Sequence, residues 1–218
     1  MCVISAQYDK AINDKPGYEY KDLLWTVLTG TDNSVHQGIM NDLKLIPGVL
    51  DVQVSHTLPL ESSSGNNVYM LDNGQENLFN IADQYEGTAG WFEMLEIPFI
   101  EGRYPQNGSE VAVSESFVKK MSEFMDWSDG AVGKLLYLTE HSTDGTAFTV
   151  SGVYRDYRIH TLTNEDGRAS IKFHGEVGKD HMPYMVMKVS EVTADIIAEI
   201  EEVIQSRIED MDVAVKSY

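Results

Sequence analysis

With 218 residues, 42% of them hydrophobic, the chain can fold about 35,000 Å² of unfolded surface down to about 10,000 Å² and so bury a core of one or two small domains. Its 10% aromatic content, 17 glycines and 6 prolines exclude collagenous, low-complexity and disordered classes. Sixteen Lys and Arg against 35 Asp and Glu leave a charge of −19, which repels phosphate backbones and anionic lipid head groups and argues against nucleic acid as a partner. Such acidity reads first as a solvated surface, and only second as attraction for a basic ligand.

Cys2 is the only cysteine, so no intrachain disulfide can form and cysteine-based zinc chemistry is absent. No apolar run approaches the roughly 18–20 residues a membrane helix needs, and no basic region followed by an apolar stretch opens the chain. As it stands the sequence reads as soluble. Met1 to Ala6 is nevertheless mostly apolar before Gln7 to Lys15 turns polar, as at the end of a greasy segment.

Leu23 to Leu28 has the β-branched and aromatic bias of a buried strand, and Thr29 to Asn33 the composition of a turn. Val35, Ile39, Leu43 and Ile46 then recur at helical spacing, with Asn33 or Ser34 as the cap and Pro47-Gly48 as the stop. Val49 to Leu58 alternates, placing Val52 and Val54 inward and Gln53 and Ser55 outward. The far end repeats this β-α-β pattern. Tyr184 to Val189 is a strand, Thr193 caps a helix on Ile196, Ile197, Ile200, Val203, Ile204 and Ile208, and Met211, Val213 and Val215 form a closing strand. Two matched units at opposite ends predict an α+β fold, a split ferredoxin-like β-α-β sandwich whose chain ends meet.

The polar loop from Glu61 to Asn67 marks the start of an inserted, smaller mixed α/β module. Its predicted elements are a strand near Asn77 to Tyr85, a helix from Thr88 to Leu95, a strand at Glu110 to Val113 and a helix from Ser114 to Met125. Strands at Lys134 to Thr139 and Phe148 to Tyr154 follow, separated by the turn residues His141 to Gly145. Thr161 to Lys179 reads as a long loop or irregular hairpin, turning at Asn164 to Gly167.

Chemistry-bearing patterns are sparse. His174, Asp180 and His181 are spaced for neither a helical pair nor a zinc finger, and read as surface loop residues. Asp72-Asn73-Gly74, Asp144-Gly145 and Glu165-Asp166-Gly167 each supply one corner of a calcium loop and read as turns. Gly87-Thr88-Ala89-Gly90 opens a short helix and is no phosphate loop, so nucleotide hydrolysis belongs elsewhere. Cys2 lacks a nearby histidine and is no catalytic thiol. Trp91, Phe92, Met94 and Leu95 are too close together for one helical face and read chiefly as core, while Met185, Met187, Met121 and Met125 read as gap fillers. The sequence thus nominates no catalytic, cofactor-binding or metal-ligating residue.

An ordered series of blocks runs along nearly the whole chain. It comprises Gln7-Tyr8, Gly17-Tyr18, Asp22-Leu23-Leu24, Ile46-Pro47-Gly48-Val49 and Ser55 to Pro59, then Trp91-Phe92-Glu93-Met94-Leu95, Pro98 and Glu101-Gly102-Arg103. Val111 to Lys120, Gly133-Lys134 and Val150 to Tyr157 complete it. The series resembles the extracytoplasmic core domain of MacB-like ABC-transporter permeases, the group that also holds FtsX-like and LolC/LolE-type proteins. The resemblance implies a Porter-like subdomain from residues 19–60 plus 180–218 and an inserted Sabre-like subdomain over 61–179. Residues 1–18 would be a stalk and the end of a preceding transmembrane helix. It further implies a non-enzymatic domain on the periplasmic side of the inner membrane, without cofactor, that couples ATP hydrolysis by a separate subunit to mechanical work. Expected partners are that ATP-binding subunit, a second permease chain, and a membrane-fusion adaptor or lipoprotein. Family cargoes include antibiotics, peptides and lipoproteins. The strong acidity and the stretch from Thr161 to Lys179 depart from the family pattern. A stand-alone ligand-binding or sensor module is the competing reading, and a hydrolase with a metal at His174 and His181 a remote third.

Overall fold

The computed structural model describes residues 16–28, 33–59, 70–72, 76–77, 82–138, 147–158, 169–178, 181–208 and 212–218. The first strand, β1 (Leu23–Val27), pairs antiparallel with β11 (Tyr184–Val189) in the register Leu24↔Met187 and Trp25↔Val186. On its other side β1 meets β12 (Lys216–Ser217), and β11 in turn pairs antiparallel with β2 (Val49–Ser55). The order β12-β1-β11-β2 therefore joins strands from the two ends of the chain. Period-2 alternation puts Leu24, Val52, Val54, Met185 and Met187 on one face.

That face is covered by α1 (His36–Leu43) and α4 (Ala194–Arg207), which contribute Ile39 and Leu43, and Ile196, Ile200 and Ile204. The isoleucines recur every four residues, one stripe of the helix, and each fully buried one contributes about 1.5–3 kcal/mol. Thr193 caps α4, its Oγ1 accepting from Ile196 N at 3.2 Å, as the sequence predicts. At α1 a 3-10 turn, Asn33–Val35, leads into the helix, so the residue at the N-cap is Val35, whose side chain makes no cap bond.

The sheet does not stop at β2. Ser55 pairs with Gly87 of β5 (Asp83–Gly87), and beyond it lie β10 (Ser170–His174), β7 (Glu110–Ser114) and β9 (Ala147–Tyr154). The far edge of β9 is shared by β6 (Phe99–Gly102) and β8 (Leu135–Leu138), and β3 (Met70–Asp72) and β4 (Glu76–Asn77) extend from β8. The pairs β5/β10 and β7/β9 are parallel, so the sheet is mixed and the fold α+β. One helix, α3 (Glu115–Met121), covers a face here through Phe117 and Met121, while α2 (Ala89–Met94) lies in a third core on the opposite face. Both start with hydroxyl caps, Thr88 and Ser114, accepting from Trp91 N and Phe117 N.

Several expectations need correction. The stretch from Thr161 to Lys179 is no simple loop, because it holds β10, a central strand paired on both sides. Its Lys172 interrupts the apolar run and is fully buried. Of the closing strand predicted at Met211, Val213 and Val215, Met211 lies outside the described residues and Val213 is buried, but the ladder contacts are made at Lys216 and Ser217. Ser55 points into the protein because β5 covers it there, and its hydroxyl donates to Thr57 O at 2.5 Å. The helix expected through Met125 ends at Met121, leaving Phe124 exposed. The predicted strand from Asn77 to Tyr85 is represented by the end of β4 and the start of β5, and β6 lies where the sequence predicts no strand.

Candidate functional site where the chain enters and leaves

The third core is where the first and last described segments meet strands from the middle of the chain. Leu23, Trp25 and Val186 enter it from β1 and β11, Tyr85, Ala112 and Tyr154 from β5, β7 and β9, and Trp91, Phe92 and Met94 from α2. Residues of β1 and β11 that face away from the first core thus share the third core with β5, β7 and β9. The α2 helix is tied to β2 as well, since Thr88 Oγ1 donates to Gln53 Oε1 at 2.8 Å.

The entering segment, residues 16–22, lies against this core and is fastened at four places. Arg158 N donates to Pro16 O at 2.7 Å, Glu19 N to Leu95 O at 2.7 Å, Val189 N to Asp22 O at 2.9 Å, and Lys188 Nζ to Lys21 O at 2.6 Å. Gly17 sits at φ +87° with Tyr157 directly beneath it, a position where a side chain would meet both strain and the tyrosine backbone. Asp22 adopts φ +56°, uncommon outside glycine, at the turn into β1.

The leaving segment comes back to the same place. Tyr218 N donates to Leu23 O at 3.1 Å and Tyr218 OH to Pro59 O at 2.6 Å. Tyr18 is buried and meets Tyr20, Tyr157 and Tyr218 edge-on, at centroid separations of 6.2, 5.9 and 6.3 Å. Such contacts add about 0.5–1.5 kcal/mol each beyond area burial. An open hollow of about 790 Å³ runs between the two segments, lined by Tyr18, Tyr20, Asp22, Val192 and Tyr218. Burial drives the Tyr157 and Tyr154 phenols well above the ordinary tyrosine value, so both stay neutral and act as packing and hydrogen-bonding groups. The arrangement offers no nucleophile paired with a base. What it can do is hold two chain segments to one rigid core.

The residues weighed for chemistry are not gathered there. His174 ends β10, His181 precedes β11 and is exposed, and Asp180 lies outside the described residues. His181 meets His56 instead, ring against ring at 6.0 Å. Partial burial, then the neighbouring His181, hold the His56 imidazolium below its usual value. Among the described residues no three His, Cys, Asp or Glu side chains are grouped to hold a metal ion. Asp72 ends β3, while Asn73-Gly74, Asp144-Gly145, Glu165-Asp166-Gly167 and Cys2 lie outside the described residues. Trp91, Phe92, Met94 and Leu95 all face the third core, Met185 and Met187 the first, and Met121 the second, whereas Met125 is exposed. Sequence reasoning missed Tyr18, Tyr157 and Tyr218, which share no spacing and meet only in the fold.

No protein-family model matches the chain, and no curated protein shows significant similarity to it in sequence. Solved structures do. The periplasmic region of MacB from Actinobacillus actinomycetemcomitans superposes with a TM-score of 0.59 at 14% identity, over 95% of this chain and 94% of that one. The chain has the MacB periplasmic fold. A domain of a permease protein from Porphyromonas gingivalis gives 0.59 at 17% identity, over 94% of this chain and 93% of that chain. The extracellular domain of the noncanonic ABC-type transporter YknZ from Gram-positive bacteria gives 0.55 at 12% identity, over 90% and 98%. Two of these structures are periplasmic or extracellular domains and the third is a domain of a permease, and likeness to them extends over almost the whole length. No helix among the described residues is long and apolar enough to cross a membrane.

Proposed function

We propose that the chain is the extracytoplasmic domain of an ABC-transporter permease and that it works as a mechanical coupler. The observation that carries this reading is the convergence of the entering and leaving segments on one core, shared with a sheet that continues through the insert. In this reading residues 19–60 plus 180–218 are the Porter-like subdomain, a split ferredoxin-like sandwich, and its support is the all-antiparallel order β12-β1-β11-β2 under two helices. Residues 61–179 are the inserted Sabre-like subdomain, and 1–18 the stalk and end of a membrane helix.

A second helix follows beyond Tyr218, and the domain stands on the periplasmic side of the inner membrane. A separate ATP-binding subunit supplies the energy, and the outer domains of two permease chains move against each other, against a membrane-fusion adaptor or against a lipoprotein. Closely packed layers suit that task, because they pass displacement on rather than absorb it. The domain itself performs no covalent chemistry, and the cargo is an antibiotic, a peptide or a lipoprotein.

The test uses the full permease with its ATP-binding subunit in a bilayer. Spin labels at Leu45, which is 80% exposed, report the distance between the two outer domains. The expected result is a change in that distance on adding ATP, abolished by a Tyr18→Ala, Tyr218→Ala double variant that still hydrolyses ATP. An ATP-independent distance, or unchanged coupling in the double variant, refutes the proposal.

A further inference from the structure

Lys172 is the only buried lysine among the described residues, at 0% exposure. It stands at the centre of β10, opposite Tyr85 of β5 and Ala112 of β7. Among the described residues its Nζ has no hydrogen-bond partner. Four rings surround it instead, with Nζ at 4.6 Å from the Phe92 centroid, 5.5 Å from Tyr104, 4.4 Å from Tyr154 and 4.5 Å from Tyr157. Ring faces attract a cation, yet they cannot accept three N–H bonds as water or a carboxylate would.

The box is tied to its surroundings. Tyr104 OH donates to Phe92 O at 2.8 Å, and the Tyr154 hydroxyl is 2.7 Å from that of Ser170. Tyr157 touches Tyr18, and Tyr18 touches Tyr218. A path of packed rings therefore runs from the amine to the first and last described segments.

We propose that Lys172 and its four rings form a proton-operated latch: with the amine neutral the box packs as ordinary core, and on protonation it slackens, freeing the entering and leaving segments through Tyr157 and Tyr18. The latch is a property of the isolated fold and does not depend on the transport reading, so either can fail alone.

The groups facing the box are few. On β5 stand Tyr85 and, one pleat away beside Ser170, Asp83. On β9 and after it stand Tyr154, Asp156, Tyr157 and Arg158, with the Asp156 carboxylate engaged by Ser116 N and Oγ. Tyr104 lies after β6, Glu93 is on α2, and β7 offers only Ala112. Burial raises the Tyr104, Tyr154 and Tyr157 phenols above the ordinary tyrosine value, which keeps them neutral where the lysine takes up its proton. Burial also pushes the Lys172 amine well below the usual lysine value. The unfolded chain binds its proton near pH 10.4, earlier than the folded chain does as pH falls. Stability is therefore fullest above about pH 10.4, is lost as pH falls toward the folded value, and changes no further below it.

The test compares the whole 218-residue chain with Lys172→Met, Tyr157→Leu and Asp83→Asn. The Lys172 Cε and Nζ resonances are followed with pH, together with exchange protection of the Glu19, Arg158 and Tyr218 amides. The expected midpoint lies well below 10.4, with the folding equilibrium of the native chain relative to Lys172→Met falling up to about tenfold per pH unit across the window. Protection of the three amides should fall over the same range in the native chain and in Asp83→Asn, and stay level in Lys172→Met. Tyr157→Leu should keep the low midpoint but lose the response at Glu19 and Tyr218. An ordinary lysine midpoint overturns the proposal, as does a low midpoint with no response at the chain ends. If Lys172→Met does not fold, the native titration and Tyr157→Leu decide the matter.

Discussion

Arg103 and Glu110 close the loop between β6 and β7 with a two-pronged ion pair, Nη1 to Oε2 at 2.8 Å and Nη2 to Oε1 at 2.7 Å, and Gln106 N adds a third bond to Oε2 at 2.9 Å. The Arg103 bond first, then that from Gln106, hold the Glu110 carboxyl at about 2. A depressed carboxyl contributes stability above its unfolded value near 4.3 and loses it as pH falls toward 2. The arginine is open to solvent, which screens the pair and keeps its contribution small. Glu110→Gln should therefore lower the urea midpoint slightly at pH 6, a difference that closes by pH 2, read from unfolding at stepped pH. At the end of β6, Gly102 holds φ +67° with its Hα facing the Ser151 carbonyl, where a Cβ would collide. Gly102→Ala should cost about 3 kcal/mol or more, measured in the same way.

Elements with a clean period are legible in the amino-acid order alone. The α4 stripe and the β11 run carry hydrophobic residues at the spacing their geometry demands, and the hydroxyl caps Thr88, Ser114 and Thr193 mark three of the helix starts. Ile200→Ala, which empties the centre of that stripe, should cost about 2–5 kcal/mol, and Leu45→Ala, on an exposed turn, under about 0.5 kcal/mol in thermal unfolding. What stays hidden is hidden for physical reasons. In β10 a lysine occupies a fully buried position, so the run reads as polar, and its pairing with β5 and β7 depends on segments distant in sequence. In β6 an irregularity between Phe99 and Glu101 breaks the alternation on which a strand is recognised. The tyrosine site is illegible for a related reason, because Tyr18, Tyr157 and Tyr218 have no pattern until three separate chain segments converge.

At the scale of the whole molecule, the described residues form one sheet that carries two separate cores and a third drawing on strands of both. A shared core opposes independent melting of the parts. Denaturation should therefore follow one transition, coincident by tryptophan fluorescence and far-ultraviolet circular dichroism, and Trp91→Ala at the centre of the shared core should lower that single midpoint rather than split it. The charge of −19 adds self-repulsion that mobile ions screen, so raising salt from about 50 to 500 mM should lift the melting temperature by a few degrees. The two-residue strand β12 has a wider consequence. Both of its residues are exposed, and Lys216 lies over the Trp25 ring at 4.8 Å. An edge carrying an exposed lysine is a poor template for another backbone, so copies of this domain crowded together on a surface would meet there by their side-chain faces and be spared runaway stacking into fibrils.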